Sequence, residues 1–208
     1  MLPTGNWERT ADPLVEPVIL AEMQRHLAGY NPDDDTDIQG LIVTAREAFE
    51  AETHLAIIDQ TWELTLPDFM RCIPVPIHPV RSITSIQYFD SAGAEQTLDA
   101  DTYRFERING RTQIVNTLGN TFPSVETCRA DAVKITFQAG IYSTTGDPAT
   151  VDTDSGAGLR NLYPLAQRAI KILGDHMYRN RGVVAPVTLT DVPMAYQSLV
   201  DFCRMETA

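Results

Sequence analysis

The chain has 208 residues, enough to form one large domain or two small ones with a proper hydrophobic core. Its formal net charge of −12 argues against a protein that binds nucleic acid by neutralising phosphates, although an acidic surface would let DNA pass without holding it. No apolar run approaches membrane-spanning length and the N-terminus does not resemble a secretory signal, so we expect a cytosolic protein with no membrane partner. Cys72, Cys128 and Cys203 lie far apart and are expected to be buried free thiols.

Residues 1–17 are predicted to form an extended arm. The segment is polar and contains three prolines, so we expect it either to pack loosely or to contact a neighbour. Apolar residues at helical spacing then predict a short helix from Val18 to Leu27, and Gly29 and Pro32 mark its end.

The longest helix is predicted to begin in the acidic cluster Asp33–Asp37. One of these aspartates can cap the helix, and the others favour its positive N-terminal end. The apolar residues that follow recur at the spacing of one helix face: Ile38, Leu41, Ile42, Ala45, Ala48 and Phe49. We expect this helix to end between His54 and Ile58.

From Trp62 to Tyr142 the pattern changes to that of strands. Apolar and polar residues alternate from Thr61 to Leu66, as in a strand with one buried face, and again from Ala132 to Phe137. Asn109-Gly110 is a hairpin-turn signal between two further strands. About six short strands are predicted, which is enough for a small antiparallel sandwich or a barrel-like unit.

The C-terminal part is predicted to become helical again after a flexible loop at residues 143–158, which is rich in Gly, Ser, Thr and Asp. Helical spacing runs from about Asn161 to Asn180, with Pro164 in the first turn. Residues 183–189 contain a proline and are predicted to be an extended connector. A last helix is predicted from Val192 or Pro193 to about Met205. Its apolar face consists of Tyr196, Leu199, Val200 and Cys203.

Helices at both ends of the chain and strands in the middle predict an α+β fold with an insertion. Residues 18–58 and 159–208 would form one helical body of about four helices, and residues 59–142 would form the inserted β-unit. In that arrangement the long helix lies beside the helix that begins near Asn161.

The acidic cluster is the first candidate for chemistry. Asp33, Asp35 and Asp37 alternate as at the start of a calcium-binding loop. The match then fails, because Ile38 stands where such a loop needs glycine and Thr44 where it needs the bidentate glutamate. Helix capping with a solvated face is the favoured interpretation, and a metal-dependent hydrolase built on this cluster is the alternative. No catalytic residue, metal ligand or cofactor is assigned.

Two further features have a structural and a functional interpretation. Trp62 either anchors the first strand in the core, which we favour, or belongs to a ligand-binding β-module, which is the second alternative function. The run Tyr178-Arg179-Asn180-Arg181 either complements the negative C-terminus of its helix or pairs with acidic residues of another subunit.

The order of short motifs along the chain resembles a known family. The motifs are a short helix ending in His26-Leu27; Asp34-Asp35-x-x-Ile38; Leu41-Ile42-x-x-Ala45-Arg46-x-x-x-Glu50; Thr61-Trp62-Glu63-Leu64; Pro79-Val80-x-Ser82-Ile83-x-Ser85-Ile86; Val133-Lys134-Ile135-Thr136-Phe137-x-Ala139-Gly140; Ala169-x-x-x-Leu173; and Tyr178-x-Asn180-Arg181. Their order, from Val18 to Arg204, is similar to that in the head–tail connector (adaptor) proteins of long-tailed bacteriophages and of related gene transfer agents. Thr53-His54-Leu55 stands where that family commonly has Thr-Gly-Arg.

The resemblance implies a structural virion protein that is not an enzyme. It implies a ring, commonly of about twelve subunits, that lies below the portal protein and extends the DNA channel toward a stopper or tail-completion protein. DNA would pass through this channel without specific binding. The protein would be in the host cytoplasm during assembly and in the head–tail neck of the virion afterwards.

The same resemblance implies two contact surfaces. The C-terminal helix would dock on the portal protein through Tyr196, Leu199, Val200, Cys203 and Arg204. The helical body would form the subunit contacts of the ring through Ile38, Leu41, Arg46, Tyr178, Arg179 and Arg181.

Overall fold

The structure is a computed structural model that describes residues 5–108, 111–117, 119–141, 162–180 and 193–206. These residues include four α-helices, eight strands and two short 3-10 helices. The α-helices are α1 (Leu20–His26), α2 (Asp35–Thr53), α3 (Leu162–Arg179) and α4 (Met194–Glu206). The strands are β1 (Asn6–Ala11), β2 (Gln60–Leu66), β3 (Cys72–Pro74), β4 (Val80–Phe89), β5 (Glu95–Thr97), β6 (Tyr103–Ile108), β7 (Arg111–Asn116) and β8 (Val133–Ala139). The 3-10 helices, Pro32–Asp34 and Ala100–Thr102, precede α2 and β6.

The strands form two antiparallel sheets that share one core. The larger sheet has the order β1-β2-β8-β4-β5, and the smaller has the order β3-β7-β6. In β8 every second residue is fully buried, namely Val133, Ile135, Phe137 and Ala139, as the alternation in the sequence predicts. Leu64 of the larger sheet and Ile114 of the smaller sheet lie in the same buried cluster. The predicted α+β fold is confirmed.

The helices form a second core around α2 and α3, which pack side by side as predicted for the long helix and its partner near Asn161. The buried residues recur at helical spacing and include Ile38, Ile42, Ala45 and Phe49 on α2, and Ala166, Ala169, Ile170 and Leu173 on α3. Burying each large aliphatic or aromatic side chain contributes about 1.5–3 kcal/mol, so this face holds the two helices together. Among the described helices, none is long and apolar enough to cross a membrane.

A short extended segment after α2 joins the two cores. Leu55 and Ile57 are buried in the helical core, whereas Ala56 between them is buried in the β core. The backbone of Ala56 is bonded on both sides: its N–H donates to the carbonyl of His78 at 2.7 Å, and its carbonyl accepts from the N–H of Ile141 at 3.0 Å. The helical body and the β-unit are therefore connected by buried side chains and by main-chain hydrogen bonds.

Helix α2 ends at Thr53, one residue before the predicted range of His54 to Ile58. Its C-terminal capping residue, His54, adopts a left-handed conformation with a φ of 58°. This conformation favours glycine, because a Cβ atom is crowded there. The structure thus gives a physical reason for the Thr-Gly-Arg sequence common at this position in the family that the motifs resemble.

Part of the N-terminal segment, which we expected to be an extended arm that either packs loosely or contacts a neighbour, is a strand of the larger sheet. Residues Asn6–Ala11 form β1, an edge strand that pairs antiparallel with β2. Trp7 and Arg9 are half-buried, whereas Glu8 between them is exposed, which is the alternation of a strand with one inner face. This signal is short and lies among prolines, so it was missed. The predicted boundary between an arm (residues 1–17) and the rest of the chain puts β1 in a different unit from the larger sheet, to which β1 belongs.

The acidic cluster does not cap α2 in the way that we expected. Asp34 is the N-terminal capping residue, but among the described residues its side chain makes no capping hydrogen bond. The carboxylates of Asp34 and Asp35 accept instead from two tyrosine hydroxyls, those of Tyr178 and Tyr30, each at 2.7 Å. Asp34 has φ −92° and ψ 4°, which is not the extended backbone conformation that most capping residues adopt, and its side chain is engaged by Tyr178 instead.

The environment of the cysteines was predicted correctly only for Cys203, which is buried. Cys72 and Cys128 are exposed, and all three are free thiols. Cys72 points outward because its neighbour Ile73 takes the buried position in β3.

Three predicted segments lie outside the described residues: the turn at 109–110, the loop at 143–158 and the connector at 183–189. The strands on either side of the turn, β6 and β7, pair antiparallel as the hairpin signal predicts.

Candidate functional site

Arg46 lies at the centre of a buried charged network where the helical body meets the N-terminal segment. Its side chain is only 2% exposed. Its Nε donates to Glu16 Oε2 and its Nη1 donates to Glu50 Oε2, each at 2.8 Å. Arg9 of β1 reaches the same network, with Nη2 at 2.5 Å from Glu47 Oε1. The network therefore ties β1 and the segment after it to α2.

Glu50 extends this network to the β-unit. Its second oxygen, Oε1, accepts from the backbone N–H of Ile57 at 2.9 Å and from Gln60 Nε2 at 2.7 Å. Gln60 is the first residue of β2. One buried carboxylate thus joins α2, the connecting segment and the first long strand.

Arg46 and Glu50 are coupled through their charges. Burial raises the pKa of the Glu50 carboxyl above its ordinary value, while the N–H of Ile57 and the guanidinium of Arg46 act against that rise. Burial acts to lower the pKa of Arg46, but the carboxylates of Glu16 and Glu50 outweigh it and raise that pKa. Both oxygens of Glu50 already accept hydrogen bonds, so the arrangement is that of a structural network.

A cleft of about 490 Å³ opens beside this network, between α2 and the inner face of the strands β1 and β2. It is lined by Trp7, Glu8, Arg9, Glu47, Glu50, Ala51, His54, Leu55, Trp62 and Ile77. The cleft is therefore mixed in character, with apolar walls and four charged groups, of which Arg9, Glu47 and Glu50 belong to the network.

Trp62 forms one wall of the cleft and packs against the β core. The guanidinium carbon of Arg9 lies 6.0 Å from the centre of its ring, within the range of a cation–π contact. The indole N–H is buried and has no hydrogen-bond acceptor among the described residues. Because Arg9 of the same chain covers the ring, the contacts support the structural interpretation of Trp62 over the ligand-binding one.

The acidic cluster is divided between two environments. Asp34 and Asp35 are half-buried and join the start of α2 to two other helices. Asp34 accepts from Tyr178 of α3, and Asp35 also accepts from Gln24 Nε2 of α1 at 2.8 Å. Asp33 and Asp37 are exposed. In the described part of the chain, no group of three or more His, Cys, Asp or Glu side chains is placed to hold a metal ion.

The residues predicted for subunit contacts lie mostly inside the chain. Ile38 is fully buried, Tyr178 is 6% exposed, and Leu41 packs against the helical core. Arg179 is exposed, and its Nε is 2.9 Å from Asp175 Oδ1. Arg181 lies outside the described residues. Arg46 is also buried. Among the predicted contact residues that the structure describes, Arg179 is therefore the one that is exposed.

The apolar face of α4, predicted to dock on the portal protein, packs on the helical core. Tyr196, Val200 and Cys203 are fully buried, and Leu199 is half-buried. Arg204 Nε donates to the backbone carbonyl of Glu52 at 2.7 Å, which fixes the helix to the end of α2.

Sequence reasoning missed Glu16 and Gln60 as members of the buried network. Glu16 meets Arg46 across 30 positions of the chain, and Gln60 meets Glu50 across 10 positions. Neither contact has a local sequence signal. Trp7 was also missed, but its alternation with Glu8 and Arg9 was a usable strand signal.

The described fold is similar to that of a virion protein. A chain in the virion of the native gene transfer agent (GTA) particle matches it with a TM-score of 0.68 and 22% sequence identity. The match covers 95% of this chain and 94% of that chain. No protein-family model and no curated protein matches the chain.

Two further matches belong to the neck of such particles. A chain in the neck of the empty GTA particle, computed with C6 symmetry, has a TM-score of 0.69, 22% identity and coverage of 96% of this chain and 95% of that chain. A chain in the neck of the native GTA particle, computed with C12 symmetry, has a TM-score of 0.66, 21% identity and coverage of 96% and 94%. The likeness extends over nearly the whole chain, so the fold expected from the motif series is confirmed.

Proposed function

We propose that this chain is a structural virion protein: a head–tail connector (adaptor) that forms an oligomeric ring below the portal protein. The observation that carries the proposal is the likeness of fold to a GTA neck chain over 96% of its length. The motif series in the sequence points to the same class. The C6 and C12 symmetries of the similar neck structures support a ring of identical copies, about twelve in number.

The charge of the chain suits a DNA channel. Each copy carries a formal charge of −12, so a closed ring concentrates negative charge around its opening. DNA phosphates find few cations to hold them there and slide through without specific binding. The ring thereby extends the channel of the portal without gripping the DNA.

The C-terminal helix is the proposed portal-docking element, and its outer face is the surface that docks. The inner residues Tyr196, Val200 and Cys203 hold α4 on the helical core. The outer face exposes Met194 by 87% and Phe202 by 42%. Large apolar side chains on a surface are typical of the buried centre of an interface. The tail-side end of the ring would meet a stopper or tail-completion protein.

The proposed protein is not an enzyme, acts in the host cytoplasm during assembly and then resides in the virion neck. No observation favours the metal-dependent hydrolase, because Asp34 and Asp35 are engaged by tyrosine hydroxyls. None favours the ligand-binding β-module, because Arg9 covers Trp62.

Native mass spectrometry and negative-stain imaging of the purified chain, with and without its portal protein, test the proposal. We expect rings of about twelve copies that bind the portal. A chain that stays monomeric in the presence of the portal would contradict the proposed function.

Met194→Asp combined with Phe202→Asp should weaken portal binding and leave the chain folded, and unchanged binding would remove the assignment of the outer face of α4.

A further inference from the structure

The outer face of α1 and α3 carries a group of cations that is unusual in so acidic a chain. It consists of Arg25 on α1 and of Arg168, Lys171 and Arg179 on α3, and we call it the basic face. The three residues of α3 follow helical spacing, so they lie along one side of that helix. Lys171 of α3 pairs with Glu22 of α1, which lies one helical turn before Arg25, so the cations of the two helices lie on adjoining surfaces. The basic face is therefore one continuous surface across two helices.

The basic face is only partly neutralised by its own chain. Lys171 Nζ is 2.8 Å from Glu22 Oε2, and Arg179 Nε is 2.9 Å from Asp175 Oδ1. Arg25 and Arg168 are exposed and have no carboxylate partner among the described residues. Two cations are thus left to attract an acidic partner.

The same chain exposes acidic side chains of the required kind at the start of α2. Asp33 and Asp37 are exposed, and within the described residues neither carboxylate has an ion-pair or hydrogen-bond partner. Their neighbours Asp34 and Asp35 are fixed by tyrosine hydroxyls, so the segment that presents Asp33 and Asp37 is held in place.

We propose that the basic face of one copy binds the acidic start of α2 on the next copy, through Arg25 and Arg168 on one side and Asp33 and Asp37 on the other. This inference rests on the proposed ring. A contact between two different surfaces of identical subunits is head-to-tail, which is the kind of contact that closes into a cyclic ring.

A second copy fits the basic face better than DNA does. Binding DNA by neutralising phosphates needs several unpaired cations along one surface, whereas here carboxylates alternate with the cations. Alternating charge favours a protein surface of complementary pattern, which directs pairing and sets its register. The overall charge of −12 also repels DNA, while local complementarity lets two copies associate.

Charge-reversal variants test the proposed contact. Assembly of the full-length chain is measured by native mass spectrometry and sedimentation, and the portal protein is added if the ring forms only in its presence. Arg168→Glu should raise the concentration needed for half-assembly by about tenfold or more, and Asp37→Lys should do the same, because each puts like charges together at the contact. Arg104→Glu on β6 and Glu95→Lys on β5 are matched controls, since they make the same charge changes on exposed strands away from the helices. The controls should assemble like the unmodified chain.

The double variant Arg168→Glu with Asp37→Lys decides the assignment. It restores opposite charges across the contact, so assembly should return toward that of the unmodified chain. Arg25→Glu combined with Asp33→Lys repeats the test at the second pair, and circular dichroism shows whether each variant is folded.

The outcomes separate the contact from the ring. If Arg168→Glu assembles as well as Arg104→Glu, or if the double variant is not rescued, the contact is overturned and the ring stands. If the unmodified chain never assembles, both are overturned. If Arg168→Glu loses DNA binding in a filter assay while assembly is unchanged, the basic face is a nucleic-acid surface and the contact is overturned.

Discussion

The two ends of α2 both carry clusters of charged side chains, and the clusters differ in burial. In the C-terminal half, Arg46 and Glu50 are buried and meet at 2.8 Å. At the N-terminal end, Asp33 and Asp37 are exposed and have no ion-pair partner within the described residues. A buried charge must be paired because desolvation is costly, whereas an exposed charge needs no partner. The buried cluster therefore serves the fold of the chain itself, and the exposed cluster is available to another molecule.

The largest effect on stability is expected at Arg46, in the buried cluster. Arg46→Met should lower the free energy of unfolding by about 3–5 kcal/mol, because it leaves the carboxylates of Glu16 and Glu50 without their cation. Urea denaturation followed by circular dichroism measures this loss. Arg25→Met, which removes an exposed arginine, is the control and should change stability by about 0.5 kcal/mol or less. A loss below about 1 kcal/mol at Arg46 would show that burial does not distinguish the two clusters.

The loss at Arg46 should depend on pH. Burial already raises the pKa of Glu50, and removing Arg46 raises it further because a cation that favours the carboxylate is gone. A carboxyl whose pKa is raised by folding destabilises the folded state when it ionises. The contribution of Glu50 to stability is therefore fully present below its unfolded pKa and is lost as pH rises through its folded pKa. The deficit of Arg46→Met relative to the unmodified chain should therefore be largest at about pH 8 and shrink as pH falls toward 5.

Unfolding measured across that pH range tests the sign. Adding Glu50→Gln to Arg46→Met removes the titrating group, so most of this pH dependence should disappear. A deficit that grows on acidification would assign the effect to a different carboxylate.

Periodicity in the sequence predicted the helices well because burial on α2, α3 and α4 follows a regular spacing. It could not tell what each apolar face packs against. Tyr196 and Val200 mark a buried face of α4, as predicted, but that face meets α2 and α3 of the same chain. An apolar stripe in the sequence indicates that a helix face is buried, but it does not indicate which element or molecule covers that face.

The charged network was beyond prediction for a similar reason. Arg46 and Glu50 are visible as a pair four residues apart, but Glu16 and Gln60 join them only because the chain returns to α2 from both sides. The exposed thiol of Cys72 is a smaller example, since its residue type favours burial but its position in β3 faces outward. Long-range contacts, and positions where strand geometry overrides residue type, carry no local signal.

A smaller effect is expected where the exposed end of α2 is tied to α3. Tyr178→Phe removes the hydroxyl that donates to Asp34 Oδ2 at 2.7 Å and should lower stability by about 1 kcal/mol. Thermal unfolding measures the change. Tyr103→Phe is the matched control, and it should be close to neutral because no hydrogen bond of the Tyr103 hydroxyl is present among the described residues. Equal effects at both positions would mean that the bond to Asp34 adds nothing.

The smallest effect on the isolated chain is expected at Asp37. Asp37→Asn removes one exposed negative charge from the positive N-terminal end of α2 and should cost about 0.5 kcal/mol or less, because such helix–dipole interactions are weak at the surface. Urea denaturation measures this cost, with Thr36→Ala on the same exposed turn as the control. Assembly should respond more strongly, since the substitution removes one of the charges offered to the basic face of the next copy. If Asp37→Asn instead destabilises the isolated chain as much as Arg46→Met does, the exposed cluster also serves the fold, and the contrast between the two ends of α2 is wrong.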